Sequence, residues 1–146
     1  MASIMYNEGN QSIIDRDIDL AANTIKAMLV NSTYTPDKDD QFIDTGGASD
    51  AVDARLSGTT DQTLANKALG KDTTSDFAYF DADDVVFTAV TTGQTAVGVV
   101  IYKDTGTPTT SKLIAYLDIT DTPTNGGDIT IQFAAPASGG IFKLNT

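Results

Sequence analysis

Carboxylates are the side chains with the clearest chemical potential in this sequence, because it contains neither cysteine nor histidine. Without thiols or imidazoles, the chain lacks the groups that build most hydrolase triads and most transition-metal sites. A pair of carboxylates, as in glycoside hydrolases, is the acid–base option that remains. The sequence also contains no nucleophile elbow, phosphate-binding loop or dinucleotide fingerprint. We therefore expect no catalytic residues and no enzymatic activity.

One aspartate cluster has the spacing of the first three ligands of an EF-hand loop: Asp15, Asp17 and Asp19. The rest of that loop does not follow. Leu20 stands where a glycine must turn the chain, and Lys26 stands where a bidentate glutamate must complete the shell. The cluster is therefore interpreted as a solvated acidic run.

Two further clusters, at residues 37–40 and 81–84, lie in predicted loops where carboxylates could converge on Ca²⁺ or Mg²⁺. Aspartate also stabilises turns without any ion, because its side chain accepts hydrogen bonds from nearby backbone amides. We expect no metal and no other cofactor, and we keep Asp81, Asp83 and Asp84 as weak candidate ligands.

The charge balance argues against several kinds of partner. Nine basic residues stand against twenty acidic residues, so the formal net charge is −11. The basic residues are scattered singly and could not neutralise a run of phosphates, so we expect neither nucleic acid nor an anionic membrane as a partner. No apolar run approaches the roughly 20 residues that span a bilayer, and the first residues do not resemble a signal peptide. The chain is expected to be soluble and made in a cytoplasm.

Composition and periodicity predict an all-β fold. Nineteen of the twenty acidic residues are aspartate, a turn residue, and the abundant threonine favours strands. We predict a single antiparallel β-sandwich or jelly-roll-like domain of eight to ten strands at residues 24–146. Residues 1–23 are predicted to form an N-terminal arm or an edge segment that includes a short helix or a strand.

The strand at residues 95–103 is apolar on both faces, which predicts the centre of a covered sheet. It is expected to form an antiparallel hairpin with residues 113–119. Two weaker strand candidates lie at residues 52–56 and 63–69. The other predicted strands lie at residues 25–30, 77–80, 85–88, 129–133 and 141–144.

Most aromatic residues lie on the predicted inward faces of strands, so core packing is their default role. A few apolar side chains outside the clear strands are candidates for a partner interface instead. These candidates are Ile4, Met5, Tyr6, Ile13, Ile14 and Tyr34.

Six phrases of strand and turn resemble small structural proteins of tailed bacteriophages, in particular capsid decoration, or cement, proteins. They are IKAMLVNSTYTPD at 25–37, FDADDV at 80–85, VIYKDTG at 100–106, LIAYLD at 113–118, GDITI at 127–131 and GIFKL at 140–144. Residues 48–76 match this pattern least well, and the first 23 residues are particular to this chain.

The resemblance implies a protein of the virion, made in the cytoplasm of a bacterial host and located on the outer capsid surface. It implies that the major capsid protein is a partner and that the chain forms homo-oligomers, often trimers. A neck, tail or fibre-base component is an alternative within the same class. A carbohydrate-binding β-sandwich module is the alternative from another class, and it would need exposed aromatic side chains.

Overall fold

The computed structural model describes residues 1–145. One α-helix, α1, spans Asn7–Ile14, and two short 3-10 helices span Pro108–Thr110 and Pro136–Ser138. The strands are β1 (Ile4–Met5), β2 (Ile25–Val30), β3 (Gln62–Thr63), β4 (Ala68–Asp72), β5 (Phe77–Asp81), β6 (Val85–Phe87), β7 (Thr95–Lys103), β8 (Leu113–Pro123), β9 (Ile129–Ile131) and β10 (Phe142–Leu144). None of the helices within residues 1–145 has the length and apolar character needed to cross a bilayer.

The ten strands form antiparallel sheets, which confirms the predicted all-β class. The main sheet has the order β1-β8-β7-β2-β3, a small sheet has the order β10-β5-β4, and β6 pairs with β9. Strand β7 lies at the centre of the main sheet, as its two apolar faces predict, and pairs with β8 as expected. The jelly-roll alternative is not confirmed, because the described strands divide into sheets of five, three and two rather than two of four.

Both faces of the main sheet are covered by apolar layers. One face packs against β5, β6, β9 and β10, and buries side chains such as Phe80, Phe87 and Ile131. The other face is covered by the connection between β2 and β3, which contributes Tyr34 and Ile43. This second layer is the covering segment, residues 31–61, and it has almost no regular structure. Burial of this kind stabilises a fold by about 1.5–3 kcal/mol for each large apolar side chain.

Two of the predicted strands differ from the structure. At residues 52–56, turns extend to Ala54, and the segment pairs with β2 only at one bridge, between Arg55 and Val30. Two backbone hydrogen bonds flank this bridge, from the Asn31 amide to Ala54 and from the Leu56 amide to Leu29. The strand predicted at residues 63–69 is divided between β3 and β4. Asn66 lies between them with a φ of 50°, a left-handed conformation that asparagine tolerates and that ends an extended strand.

Residues 4–14 are integrated into the domain. Strand β1 forms an edge of the main sheet, where Ile4 pairs with Tyr116. Helix α1 then crosses β8 at close range: a Cβ on Gly9 would lie only 2.7 Å from both the Ile114 Cα and the Leu113 carbonyl oxygen. Glycine is the residue that permits this approach of two backbones.

Candidate interaction surface

The small sheet carries a row of apolar side chains on one face. Residues that pair directly across two antiparallel strands share a face, so Leu69, Phe80 and Phe142 lie together. The pair Leu144 and Ala78 extends the row. The Phe80 and Phe142 rings are buried, with centroids 5.3 Å apart, whereas Leu69 is 58% exposed and Leu144 is 47% exposed. One end of the row therefore belongs to the core and the other end reaches solvent.

A continuous depression forms where this row leaves the core. A cavity of about 140 Å³ is lined by Ile13 of α1, Leu20, Leu69 and Leu144. A neighbouring depression of about 320 Å³ shares Ile13, Leu20 and Leu69, and another of about 480 Å³ shares Ala78 and Leu144. Because the three depressions share side chains, they form one surface. We call it the apolar groove and define it by Ile13, Leu20, Leu69, Ala78 and Leu144.

Charges of both signs border the apolar groove. Arg16 and Asp19 line one end, and Lys71, Asp72 and Asp76 line the other. The groove is therefore close to neutral, although the whole chain has a net charge of −11. A like-charged partner meets less repulsion at such a surface than elsewhere on an acidic protein.

Strand β4 also leaves a backbone edge open beside the apolar groove. It is the last strand of the small sheet, and no other strand of residues 1–145 pairs with its outer side. Lys71 is exposed on this edge. A lysine on an edge strand opposes open-ended strand addition, because a further strand would have to desolvate its ammonium group.

The structure divides the six predicted interface residues. Ile13 lines the apolar groove, and Ile14 beside it is 81% exposed. Ile4 and Met5 are half-buried in β1. The hypothesis that Tyr6 and Tyr34 serve as surface anchors does not fit their positions, since both are buried within this chain.

Tyr6 and Tyr34 bind each other instead, through hydroxyl groups 2.5 Å apart. Burial raises the pKa of Tyr34 to about 12 and raises that of Tyr6 further above its ordinary range. Both therefore stay neutral and join the N-terminal segment to the covering segment. The sequence did not reveal this contact, because the two residues lie 28 positions apart.

The exposed leucines of the apolar groove were missed by the sequence analysis. The alternation of Phe142 and Leu144 places both on one face of a strand. The alternation does not show where the apolar layer packed against this face ends, and that position decides whether Phe142 or Leu144 is exposed. The exposure of Leu69 could not be predicted for the same reason, and also because β4 begins only at Ala68, near the end of the strand predicted at residues 63–69.

The weak metal candidates are held by separate contacts. Asp83 accepts a hydrogen bond from the side-chain amide of Asn66 at 2.6 Å. Asp84 accepts one from the backbone amide of Phe133 at 2.8 Å. Asp81 has one buried carboxylate oxygen that accepts no hydrogen bond from the described residues. Within residues 1–145, no three acidic side chains converge in a geometry that could hold a metal ion.

The acidic loop at residues 37–50 contains one carboxyl group that is unfavourable in the folded state. Burial raises the pKa of Asp40, and the neighbouring Asp37 and Asp50 carboxylates raise it further. A raised pKa in the folded state means that the ionised form destabilises the fold at neutral pH. The penalty disappears as the pH falls through this raised pKa, because the carboxyl group is then protonated.

Substitution of Asp40 by asparagine is expected to raise the melting temperature by about 1–2 °C at pH 7, since the removed penalty is small at a partly exposed site. This difference in melting temperature should shrink as the pH falls through the raised pKa of Asp40, and it should be lost below about pH 4, where the carboxyl group is protonated in both the folded and the unfolded protein. Thermal melts of the wild type and the variant between pH 3 and pH 8 measure this difference in melting temperature. Asp53→Asn is the matched control, because Asp53 is exposed and is not among the carboxylates that raise the pKa of Asp40. A constant or growing advantage at low pH would contradict this account.

A polar cluster connects the covering segment to β7. The Asp61 carboxylate accepts hydrogen bonds from Arg55 Nε at 2.9 Å, Arg55 Nη2 at 2.7 Å and the Tyr102 hydroxyl at 2.6 Å. The Asp61 side chain is only 8% exposed. Burial, and then the adjacent carboxylate, raise the pKa of Tyr102. Lys26 and Asp104 form a second ion pair at 2.7 Å, and both pairs line a cleft of about 330 Å³.

These charges satisfy one another within the chain, so the cleft is best described as a structural junction. The apolar groove differs, because Leu69 and Leu144 have no covering layer in residues 1–145. It is therefore the candidate functional site. No family model, no curated protein and no solved structure matches this chain.

Proposed function

We propose that this chain is a structural protein of a tailed-bacteriophage virion, and specifically a capsid decoration protein. In this role it would oligomerise on the outer capsid surface and stabilise contacts between subunits of the major capsid protein. The observation that carries the proposal is the apolar groove, which leaves leucines exposed on an otherwise acidic β domain. Contiguous exposed apolar surface of this kind is typical of protein–protein contact sites.

The resemblance of six strand and turn phrases to phage structural proteins supports the virion assignment. Three of those phrases, at residues 25–37, 100–106 and 113–118, contain all of β2 and parts of β7 and β8. They therefore belong to the centre of the main sheet and to its connections. This is the part of the fold that a family of structural proteins would share.

The charge of the domain also suits the outside of a DNA-filled shell. With a net charge of −11, the protein is repelled by free nucleic acid rather than bound by it. Its aspartates lie largely in the turns and loops between strands, where they keep the surface solvated. Many copies on one shell make modest individual contacts effective, because each bound copy stabilises the same assembly.

The two alternatives receive less support. A neck, tail or fibre-base component would use the same kind of surface, and only the location in the particle separates it from a decoration protein. A carbohydrate-binding module needs aromatic rings in solvent. All eleven aromatic residues lie within residues 1–145, and each is buried or half-buried.

Binding to capsids tests the proposal directly. The purified full-length chain should bind saturably to expanded, DNA-free capsids of the phage that encodes it, and should raise the temperature at which they rupture. Unexpanded procapsids are the control, and binding to them is expected to be weaker. Cosedimentation and thermal melting of the particles measure both effects. Absence of binding to expanded capsids would contradict the decoration role.

A further inference from the structure

We propose that the apolar groove is a self-association surface that binds the groove of a second copy of this chain. The expected assembly is a twofold dimer in which the same residues of both copies meet. This inference deepens the proposed function and rests on it for its role on the capsid. The association itself is a property of the purified chain and can be measured without capsids.

The distribution of exposed apolar side chains selects the groove. Five large hydrophobic side chains within residues 1–145 are exposed, and two of them, Leu69 and Leu144, line the groove. The other three are Met1, Ile14 at the C-terminal end of α1, and Val86 on β6. Single exposed apolar residues are ordinary, whereas a cluster at a depression indicates a contact.

The charge of the groove selects a second copy as its occupant. Two copies, each with a net charge of −11, repel one another over most of their surface. The groove borders carry two basic residues, Arg16 and Lys71, and three acidic ones, Asp19, Asp72 and Asp76. A strongly basic or a strongly acidic partner would gain little from such a mixed border. A partner with the same mixture, as in a self-complementary contact, can place each sign opposite the other.

The geometry favours a closed pair over a growing chain of copies. A contact between identical surfaces is complete when two copies have met, because each groove is then covered. The open edge of β4 beside it could in principle add further strands, but Lys71 on that edge opposes this. The trimer implied by the family resemblance would instead need the groove to meet a different surface.

The experiment is sedimentation equilibrium and light scattering on the full-length chain over a range of concentrations. The wild type is expected to reach a dimer mass. Leu69→Asp is expected to raise the dissociation constant of the dimer at least about tenfold, because a carboxylate would be buried at the contact. Val86→Asp is the matched control, since it places the same charge at an exposed apolar position outside the groove, and its dissociation constant should equal that of the wild type.

Salt provides a second readout that does not depend on a substitution. Raising the salt concentration screens the repulsion between two acidic copies and leaves apolar burial intact, so the dimer should become tighter. A second variant, Leu144→Asp, tests the other end of the groove, and it replaces Leu69→Asp if that variant does not fold, as judged by its thermal melt.

Three results would overturn the inference: a wild type that stays monomeric at millimolar concentration, a dimer that Leu69→Asp does not weaken, and a trimer. Capsid binding is assayed separately with the same proteins. Binding by a chain that is monomeric in solution would support the proposed function and overturn the inference. A groove-dependent dimer that binds no expanded capsid would support the inference and contradict the proposed function.

Discussion

Substitution of Gly9 by alanine is expected to destabilise the protein by about 2–3 kcal/mol, within the range for overpacking a close contact. The same change at an exposed position in a helix stabilises by up to about 1 kcal/mol, because alanine is the better helix former. The opposite sign at Gly9 follows from the contact between α1 and β8. The new Cβ would lie 2.7 Å from the Ile114 Cα and from the Leu113 carbonyl oxygen.

Both of those atoms belong to the backbone of β8, so they cannot rotate away as a flexible side chain could. Relief would require α1 to move off the sheet, and two sets of bonds oppose that movement. The Tyr6 amide donates to the Ile114 carbonyl at 3.0 Å, and the Tyr6 hydroxyl contacts that of Tyr34. Lys112 binds the Glu8 carboxylate at 2.5 Å and that of Asp17 at 3.1 Å. The strain is therefore expected to appear as lost stability.

Urea unfolding of the wild type and of Gly9→Ala measures the effect. Gln11→Ala is the matched control on the same helix, because Gln11 is exposed and its helix propensity is close to that of alanine. The free energy of unfolding of this control should lie within about 0.5 kcal/mol of that of the wild type. A Gly9→Ala variant as stable as the wild type would show that α1 has room to move away from β8.

The elements that could be predicted from the sequence are those that a local pattern specifies. Strand β7 was recognisable because both of its faces are apolar, and β2 because one of its faces is fully apolar and the other, which carries Lys26, is partly apolar. Aspartate in turns was also predicted, and the structure confirms it. The backbone amides of residues 17, 39, 74 and 106 donate to the carboxylates two positions earlier. Each of these features depends on residues within one short segment.

The features that could not be predicted depend on how distant segments meet. The covering segment has no strand periodicity, since it presents Tyr34, Ile43 and Ala54 to the sheet from turns. The partnership of Tyr6 with Tyr34, which removed two predicted interface residues from the surface, depends on the same packing. For the same reason, only part of the apolar groove could be predicted from the sequence. Ile13 and Ile14 stood out as apolar residues outside a strand, whereas the exposure of Leu69 and Leu144 follows from where the core ends.

The covering segment leads to the second large effect, which concerns Arg55. Substitution of Arg55 by alanine is expected to destabilise the protein by about 2–3 kcal/mol. Removing one partner of a fully buried ion pair costs about 3–5 kcal/mol, and the lower figure reflects the 34% exposure of the Arg55 side chain. The cost arises at the Asp61 carboxylate, which is only 8% exposed and retains only the Tyr102 hydroxyl as a close donor.

Arg55→Lys separates charge from geometry at this junction. Lysine restores a positive charge but cannot form the two parallel bonds that Nε and Nη2 of arginine make to the Asp61 carboxylate. It is expected to recover about half of the lost stability. Urea unfolding at pH 7 measures all three proteins, and Lys38→Ala, on an exposed basic residue of the covering segment, is the control.

A double substitution, Arg55→Leu with Asp61→Leu, tests whether the loss comes from the orphaned charge rather than from the missing bonds. If the uncompensated Asp61 carboxylate causes most of the lost stability, removing both charges should destabilise the protein less than removing Arg55 alone, because no ion then remains buried. In the double variant the Tyr102 hydroxyl would also lose its acceptor, which costs about 1–3 kcal/mol. All the variants are therefore compared in a Tyr102→Phe background, where this hydroxyl is absent. A double variant less stable than Arg55→Ala in that background would mean that the ion pair itself holds the covering segment on the sheet.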